Sequence, residues 1–418
     1  MHSITRYRSS AIVFFAISSC IFLFSKCINN EKNKLDATVK ANNYEKFAGS
    51  DKCISCHKAI YDTHIQTAHF LTSAIASEKN IKGSFDIAKN TFMYSNGSLI
   101  AMQKKLGRFY QVAYINGIEK KSQRFDMIIG SGTKGQSYAT WLQNRLFQLP
   151  ITYFTSAGQW SNSPGYPNKI AFNRIITSRC LECHATYIEK TSAEGIEPEE
   201  FDKNRMLLGV NCEKCHGPAE KHVEFQIQNP AEKKGKFIIN PALFSRQQRL
   251  DMCAVCHGGR LQKTRPSFEF TAGDKLADFF LADKTTKDAS SIDVHGNQYG
   301  LLVSSKCFRM SKTLTCNSCH NTHENEKGKT ALFSQRCLSC HTGKETDALL
   351  CKMTASIGTE INKNCTNCHM PKMQSMAIAV LLQGNNMPTP ALIHTHLIKI
   401  YPEETKKILA FIKNKQPQ

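Results

Sequence analysis

SRCLECHATY at residues 178–187 and GVNCEKCHGPAEKH at residues 209–222 share one signature, Cys-x-x-Cys-His. The same signature occurs six times between residues 180 and 369: Cys180-Cys183-His184, Cys212-Cys215-His216, Cys253-Cys256-His257, Cys316-Cys319-His320, Cys337-Cys340-His341 and Cys365-Cys368-His369. A seventh stands alone upstream at Cys53-Cys56-His57. Two thiols one helical turn apart add across the two vinyl groups of a porphyrin, and the histidine that follows ligates the iron from the same side. Zinc knuckles and redox dithiols also use Cys-x-x-Cys, but they do not need histidine directly after the second cysteine. Histidine makes up 15 of 418 residues, so chance would place it there about 4% of the time. It follows every one of the seven pairs. The expected cofactors are seven covalently bound c-type haems.

The chain has 418 residues and a hydrophobic content of 41%, enough for two or three ordinary domains with a core. Six haem sites within 180–369 leave little chain per haem, so the porphyrins themselves are the expected apolar filling. The fold expected is a mostly α and irregular multihaem cytochrome c fold, with an inserted small antiparallel β subdomain. Folding and haem loading are then inseparable. Of 18 cysteines, 14 belong to the motifs. Cys307 and Cys351 remain in the body of the chain, either as a disulfide or as two buried free thiols. The net charge of +20 raises nucleic acid as a partner, but Lys and Arg are scattered, with no basic block or aromatic platform. Two propionates per haem account for much of that excess, and some of it can form a docking face for an acidic redox partner.

Residues 1–27 read as an export signal: Arg6 and Arg8 precede an apolar stretch from Ala11 to Phe24 that is short for a membrane span. Cys20 and Cys27 are both candidate lipidated cysteines. Cys20 fits the usual lipobox better, but Cys27 leads straight into a polar tether and is favoured; simple cleavage and an uncleaved anchor stay open. Each places the mature protein in the periplasm or at the outer surface, where haem is attached to cysteines; the expected partners include the haem attachment machinery and, through a lipid or N-terminal anchor, the membrane surface. Residues 28–48 read as a flexible tether. Residues 49–90 form the first haem segment, with a helix expected from His57 through Ile75. Residues 91–175 form the β subdomain, with hairpins across Asn96-Gly97, Asn116-Gly117 and Asn144-Arg145. Residues 176–375 form the six-haem cluster, with short helices expected at 201–208 and 246–256 and a polar loop at 284–293. Residues 376–418 read as an extended piece, 390–401, followed by a helix at 402–414.

Each iron takes a sixth ligand or stays open for chemistry. Outside the motifs stand His2, His64, His69, His222, His295, His323, His394 and His396. A lone histidine is ordinarily surface or core filler, but packed low-potential haems commonly use two histidines. His222, six residues after His216, and His323, three after His320, are the first candidates; His69 and His295 are next. His394 and His396 share a face if they lie on a strand, and His396 is favoured of the two. His64 and His69 point to different helix faces, so they do not serve one iron. Met310, Met370 and Met373 are alternative axial ligands or core filling.

The segments GSDKCISCH with TAHF, SRCLECHATY, GVNCEKCHGPAEKH, SKCFRMSKTLTCNSCHNTH and NCTNCHMPKM resemble the periplasmic multihaem cytochrome c family related to the tetrahaem electron acceptor of hydroxylamine oxidoreductase. They span most of residues 49–400. GSGTKGQSYATWLQNRLFQLPITYF, continuing to SPGY, resembles an insertion in one branch of that family. The resemblance implies haems stacked in near-parallel and perpendicular pairs, with His69, His222, His323 and His396 as distal ligands. Many relatives carry a histidine cluster before the final motif, where this chain reads DALLCKMTASIG; an open or Met-ligated haem is the alternative there.

Two functions follow from these readings. The first is a seven-haem cytochrome passing electrons through bis-His haems between periplasmic or membrane redox proteins, with no catalytic residue of its own. The second is a multihaem oxidoreductase acting on a small nitrogen or sulfur oxyanion at one open haem. The β subdomain serves as a structural lid or as a docking surface for an outer-membrane partner.

Overall fold

The structure is a computed structural model that describes residues 43–281, 289–341 and 351–415. The signal 1–27 with Cys20 and Cys27, His2, most of the tether, residues 284–288 of the polar loop and residues 347–350 of DALLCKMTASIG lie outside the described residues.

The Asn-Gly pairs direct the first hairpins. Thr91–Met93 pairs with Leu99–Lys105, Phe92 opposite Ile100, across Asn96-Gly97. Arg108–Ile115 turns into Ile118–Arg124 with Asn116 at φ 51° and Gly117 at φ 74°, the two left-handed residues that a tight primed turn requires. These four strands make one antiparallel sheet. The third hairpin turns one residue earlier than expected: Leu142 is opposite Arg145, so Gln143 and Asn144 form the turn, with Gln143 at φ 55°.

A second, nine-stranded sheet holds the molecule together. Its members include Ser73–Ile75, Met127–Ile129, Gly135–Leu142, Ile151–Phe154 and Gln159–Asn162, followed by Lys372–Leu382 and Thr389–His394 from the far end of the chain. Both faces are covered. Ile128, Tyr138, Ile151 and Trp160 pack with Phe92, Ile100, Met102 and Phe109 of the four-stranded sheet. The alternate residues Met127, Ala139 and Leu146 pack with Leu181, Ala185, Tyr187 and Phe201, beside the motif at Cys180. The period-2 alternation of a strand thus gives one face to a β-sandwich core and the other to a haem-attachment helix.

The expectation of a mostly α and irregular fold with a small β insert is overturned. The described residues contain seventeen strands, and antiparallel sheets form the frame. The attachment motifs need only a single helical turn or little more, as in Cys212–His216 and Cys365–His369. The chain between them must still pair its backbone N–H and C=O groups, and it does so as strands. Phe201–Leu208, expected as a helix, is a strand paired with Ala185–Lys190, whose β-branched and aromatic side chains offer it a pleated edge. The helix expected through Ile75 is Ser50–His64; Ser73–Ile75 instead pairs with Met127–Ile129 and ties the first haem segment into the sheet. The extended C-terminal piece is half of a hairpin that Ser161 and Leu382 join to the same sheet. The helices Arg246–His257, with a Ser245–Gln248 capping box, and Pro402–Lys415 lie where the sequence places them. Among the described residues, no helix is long and apolar enough to cross a membrane.

Gly83 lies flat against the Trp160 indole, whose Nε1 donates to the Ser84 carbonyl at 2.7 Å. A methyl group at position 83 would overlap the ring. Gly83→Ala is expected to destabilise the fold by about 1–3 kcal/mol, the range for overpacking, seen as a lower denaturation midpoint at unchanged haem content.

Candidate haem-binding site

One continuous cavity of about 3630 Å³ runs through the molecule. All twenty-one cysteines and histidines of the seven motifs line it, as do all seven described histidines outside them. Shared among seven motifs, that volume is about 520 Å³ each, within the roughly 300–1,000 Å³ of a pocket that encloses one organic ligand.

The histidines are set in opposed pairs across this space. His57 faces His222 with ring centroids 6.5 Å apart, His216 faces His323 at 6.2 Å, His257 faces His69 at 6.2 Å and His320 faces His396 at 5.9 Å. A separation of roughly 6 Å is what two imidazoles need to bond one metal between them, with metal–nitrogen bonds of about 2.0–2.1 Å. His295 stands within electrostatic reach of both His184 and His257.

The second ring nitrogen supports the same assignment. A ligating imidazole usually donates its remaining N–H to a fixed acceptor, which leaves Nε2 for the metal. His216 Nδ1 pairs with the Ile239 carbonyl at 3.0 Å, His222 Nδ1 with Lys236 at 2.8 Å and His369 Nδ1 with Lys399 at 3.0 Å. His184 Nδ1 lies 3.0 Å from Thr72 Oγ1. Burial pushes His257 and His396 down to about 4, favouring the neutral imidazole that binds a metal. His64 is different: Nδ1 and Nε2 both face backbone carbonyls, of Thr322 and Val210, at 3.2 Å. It packs against His323 but presents no free nitrogen to an iron.

The motif thiols show how the sites adjoin. Cys53 lies close to Cys212, Cys183 to Cys256, Cys253 to Cys316 and Cys337 to Cys365, and in each pair one thiol is pushed up and its partner down. Cys215 lies near Cys253, and Cys319 near Cys340 and Cys337. The motifs at 53, 212, 253, 316, 337 and 365 therefore follow one another in space, and the motif at 180 joins at 253. The residues present fit seven haems: each has two thiols, an adjacent histidine and a share of one apolar cavity.

Three buried acids, two of them between motif cysteines, lock neighbouring sites together. Glu213, inside its motif, accepts from the N–H groups of Ala48 and Gly49, which lead into the helix Ser50–His64, at 2.8 and 2.9 Å, and from Ala219 at 2.9 Å. Burial pushes its carboxyl up while these donors hold it down. Glu182, also inside a motif and 1% exposed, takes Lys263 Nζ, Arg179 and the Phe268 N–H. Glu326 accepts from the Asn321 N–H and pairs with Arg336, joining the motif at 316 to the helix Thr330–His341.

Sequence reasoning did not single out these acids, although a carboxylate at the variable position of an attachment motif is a visible signal. It also set His394 aside by assuming that it shares a strand face with His396. The strand ends at His394, whose Nδ1 donates to the Met370 carbonyl at 2.5 Å, and both residues line the cavity. Met310 and Met370 line it too, whereas Met373 is not on its wall. Cys307 and Cys351 are free thiols in different places, Cys307 near Cys340 and Cys351 near Cys368.

Residues 157–217 match the family model described as cytochrome c554 and c-prime. No curated protein matches the chain in sequence. The fold is similar to that of the outer cell wall cytochrome OcwA, with a TM-score of 0.52 and 15% identity over 87% of this chain and 81% of that one.

Arg336, the first cause, and the Asn321 N–H hold the Glu326 carboxyl below its ordinary range. A depressed carboxylate contributes stability above its unfolded pKa of about 4.3 and loses that contribution as the pH falls through the folded value. Glu326→Gln is expected to lower stability by about 1–3 kcal/mol at pH 7. The gap from the parent should close as the pH falls below 4 in denaturation curves. With the partial family match and the shared fold, the seven motifs support a multihaem cytochrome.

Proposed function

We propose that this protein is a seven-haem c-type cytochrome that carries electrons between redox partners in the periplasm or at the outer surface of the cell. The observation that carries the reading is the unbroken adjacency of the seven attachment motifs along one cavity. Neighbouring haems in such a row exchange electrons without moving parts. In this reading His222, His323, His69 and His396 are the distal ligands of the irons held by His57, His216, His257 and His320, and His295 serves the iron of His184. Two histidines per iron keep it six-coordinate in both oxidation states, which suits transfer rather than substrate binding. The haems supply the redox chemistry; the chain holds each iron's coordination and excludes water from between them.

The motifs at 53 and 365 end the row, and the motif at 180 ends a side branch from 253. Electron entry and exit belong at such termini. The similarity to a protein named as an outer cell wall cytochrome accords with work outside the cytoplasm. The N-terminal segment, with lipidation at Cys27 or Cys20, would hold the protein at a membrane surface.

The second reading, an oxidoreductase of a small nitrogen or sulfur oxyanion, has one observation in its favour. Among the described residues, neither His184 nor His369 makes a ring contact with another histidine; the conduit reading gives His295 to the iron of His184, so that of His369 is the first place to look for an open position.

Carbon monoxide added to the fully reduced holoprotein tests both readings. The conduit reading expects no change in the optical spectrum; a change amounting to about one haem in seven moves the assignment to the enzyme. Separately, His222→Met is expected to raise the potential of one haem and leave the others in place in a spectroelectrochemical titration, because methionine favours the reduced iron. Unchanged potentials would remove His222 from the ligand set.

A further inference from the structure

The strand Lys372–Leu382 is interrupted where it pairs with Thr389–His394. Gln374 lies opposite Leu392 and Ala379 opposite Pro390, so residues 375–378 face only Ala391. Such a bulge takes backbone N–H groups out of the ladder, and each then needs another acceptor. Asp293, from a distant part of the chain, supplies it. Its Oδ2 accepts from the Met376 N–H at 2.5 Å and the Ala377 N–H at 3.2 Å, and its Oδ1 accepts from Ser375 Oγ at 3.1 Å. Ser375 is fully buried, and its hydroxyl accepts in turn from the Ile378 N–H at 3.0 Å. The same Oδ1 of Asp293 also accepts from the backbone N–H of His295 at 2.7 Å. His295 sits in the turn that leads into the helix Gln298–Val303, and it lines the haem cavity with Val294, Gly296 and Gln298. Two further bonds tie that turn. The Gly296 carbonyl accepts at 2.7 Å from the N–H of Gly259, just after the motif histidine His257, and Gln298 Nε2 donates to the Val294 carbonyl at 2.7 Å.

One carboxylate, through four neutral donors, thus binds the C-terminal hairpin to the turn that carries His295. We infer that Asp293 is a positioning residue: by clamping the turn at 293–297 to the bulged strand, it holds His295 on the cavity wall as the sixth ligand of the iron of His184. A ligand on a turn is only as fixed as the backbone beneath it, and outer groups that orient a ligand are worth about ten- to a hundredfold in metal affinity. The clamp needs a carboxylate. Both oxygens accept, and an amide in the same place would turn its own N–H groups towards N–H donors on one side or the other. The inference rests on the preceding reading, which gives His295 to that iron, and it makes the C-terminal hairpin part of the same haem's site.

The test compares the haem-loaded parent with Asp293→Ala, Asp293→Asn and His295→Ala. Haem per chain, carbon monoxide binding to the reduced protein and the high-spin ferric signal in electron paramagnetic resonance are read against the parent. His295→Ala is expected to open one haem beyond any that the parent leaves open. Asp293→Ala opens the same haem, and combining the two substitutions opens no second one. Asp293→Asn is nearly isosteric and carries the decision if Asp293→Ala loads haem poorly; its ferric protein is expected to bind cyanide at that haem about ten- to a hundredfold more tightly than the parent. If His295→Ala opens a haem while the Asp293 variants match the parent's spectra and ligand binding, with or without a lower denaturation midpoint, the positioning role is overturned and His295 remains the ligand. If His295→Ala opens no haem, the ligand assignment itself falls and the inference with it.

Discussion

Covalent attachment of flat apolar groups is the constraint from which the rest of this structure follows. Each Cys-x-x-Cys-His motif commits five residues to one porphyrin, and seven of them converge on a single cavity. Side chains do not fill that space, so the polypeptide cannot close around a core of its own there. It builds a frame beside the cavity instead. The β-sandwich core of Phe92, Ile100, Tyr138 and Trp160 holds conventional hydrophobic packing, and the sheet's other face carries the motif at Cys180. Stability and cofactor position are thus joined through one sheet with two buried faces.

The same constraint explains the buried acids. A motif helix of a turn or so has too few internal hydrogen bonds to hold its orientation. Glu182, Glu213 and Glu326 provide that hold by reaching N–H groups and cations on the neighbouring segments. Each works between two attachment sites rather than within one. A conduit would need the spacing of neighbouring haems to be fixed, and these carboxylates tie together the segments that carry the motifs.

Chain order and spatial order differ in one instructive place. The motif at 180 precedes that at 212 in sequence, but 212 adjoins 53, and 180 adjoins 253. The hairpin of Ala185–Lys190 and Phe201–Leu208, with Ala185 opposite Leu208, returns the chain from the motif at 180 to the motif at 212.

The seven attachment motifs were legible in the sequence because the chemistry of thioether attachment is local: two thiols, one helical turn and the next residue suffice. The Asn-Gly hairpins and the capped helices at 246 and 402 were legible for the same reason, since turn and cap preferences act over a few residues. Tertiary structure decided the rest. It made 201–208 a strand, because the open edge of 185–190 outweighed a weak helical pattern. It tied Ser73–Ile75 and the C-terminal hairpin into one sheet across some 300 residues of chain, a pairing that no local pattern encodes. It separated His64, bonded at both ring nitrogens, from His69, which faces His257. It also let His394 and His396 point to different partners, because the strand ends between them. A sequence specifies which side chains can bind a metal; which of them meet across the same iron depends on where distant strands bring them together.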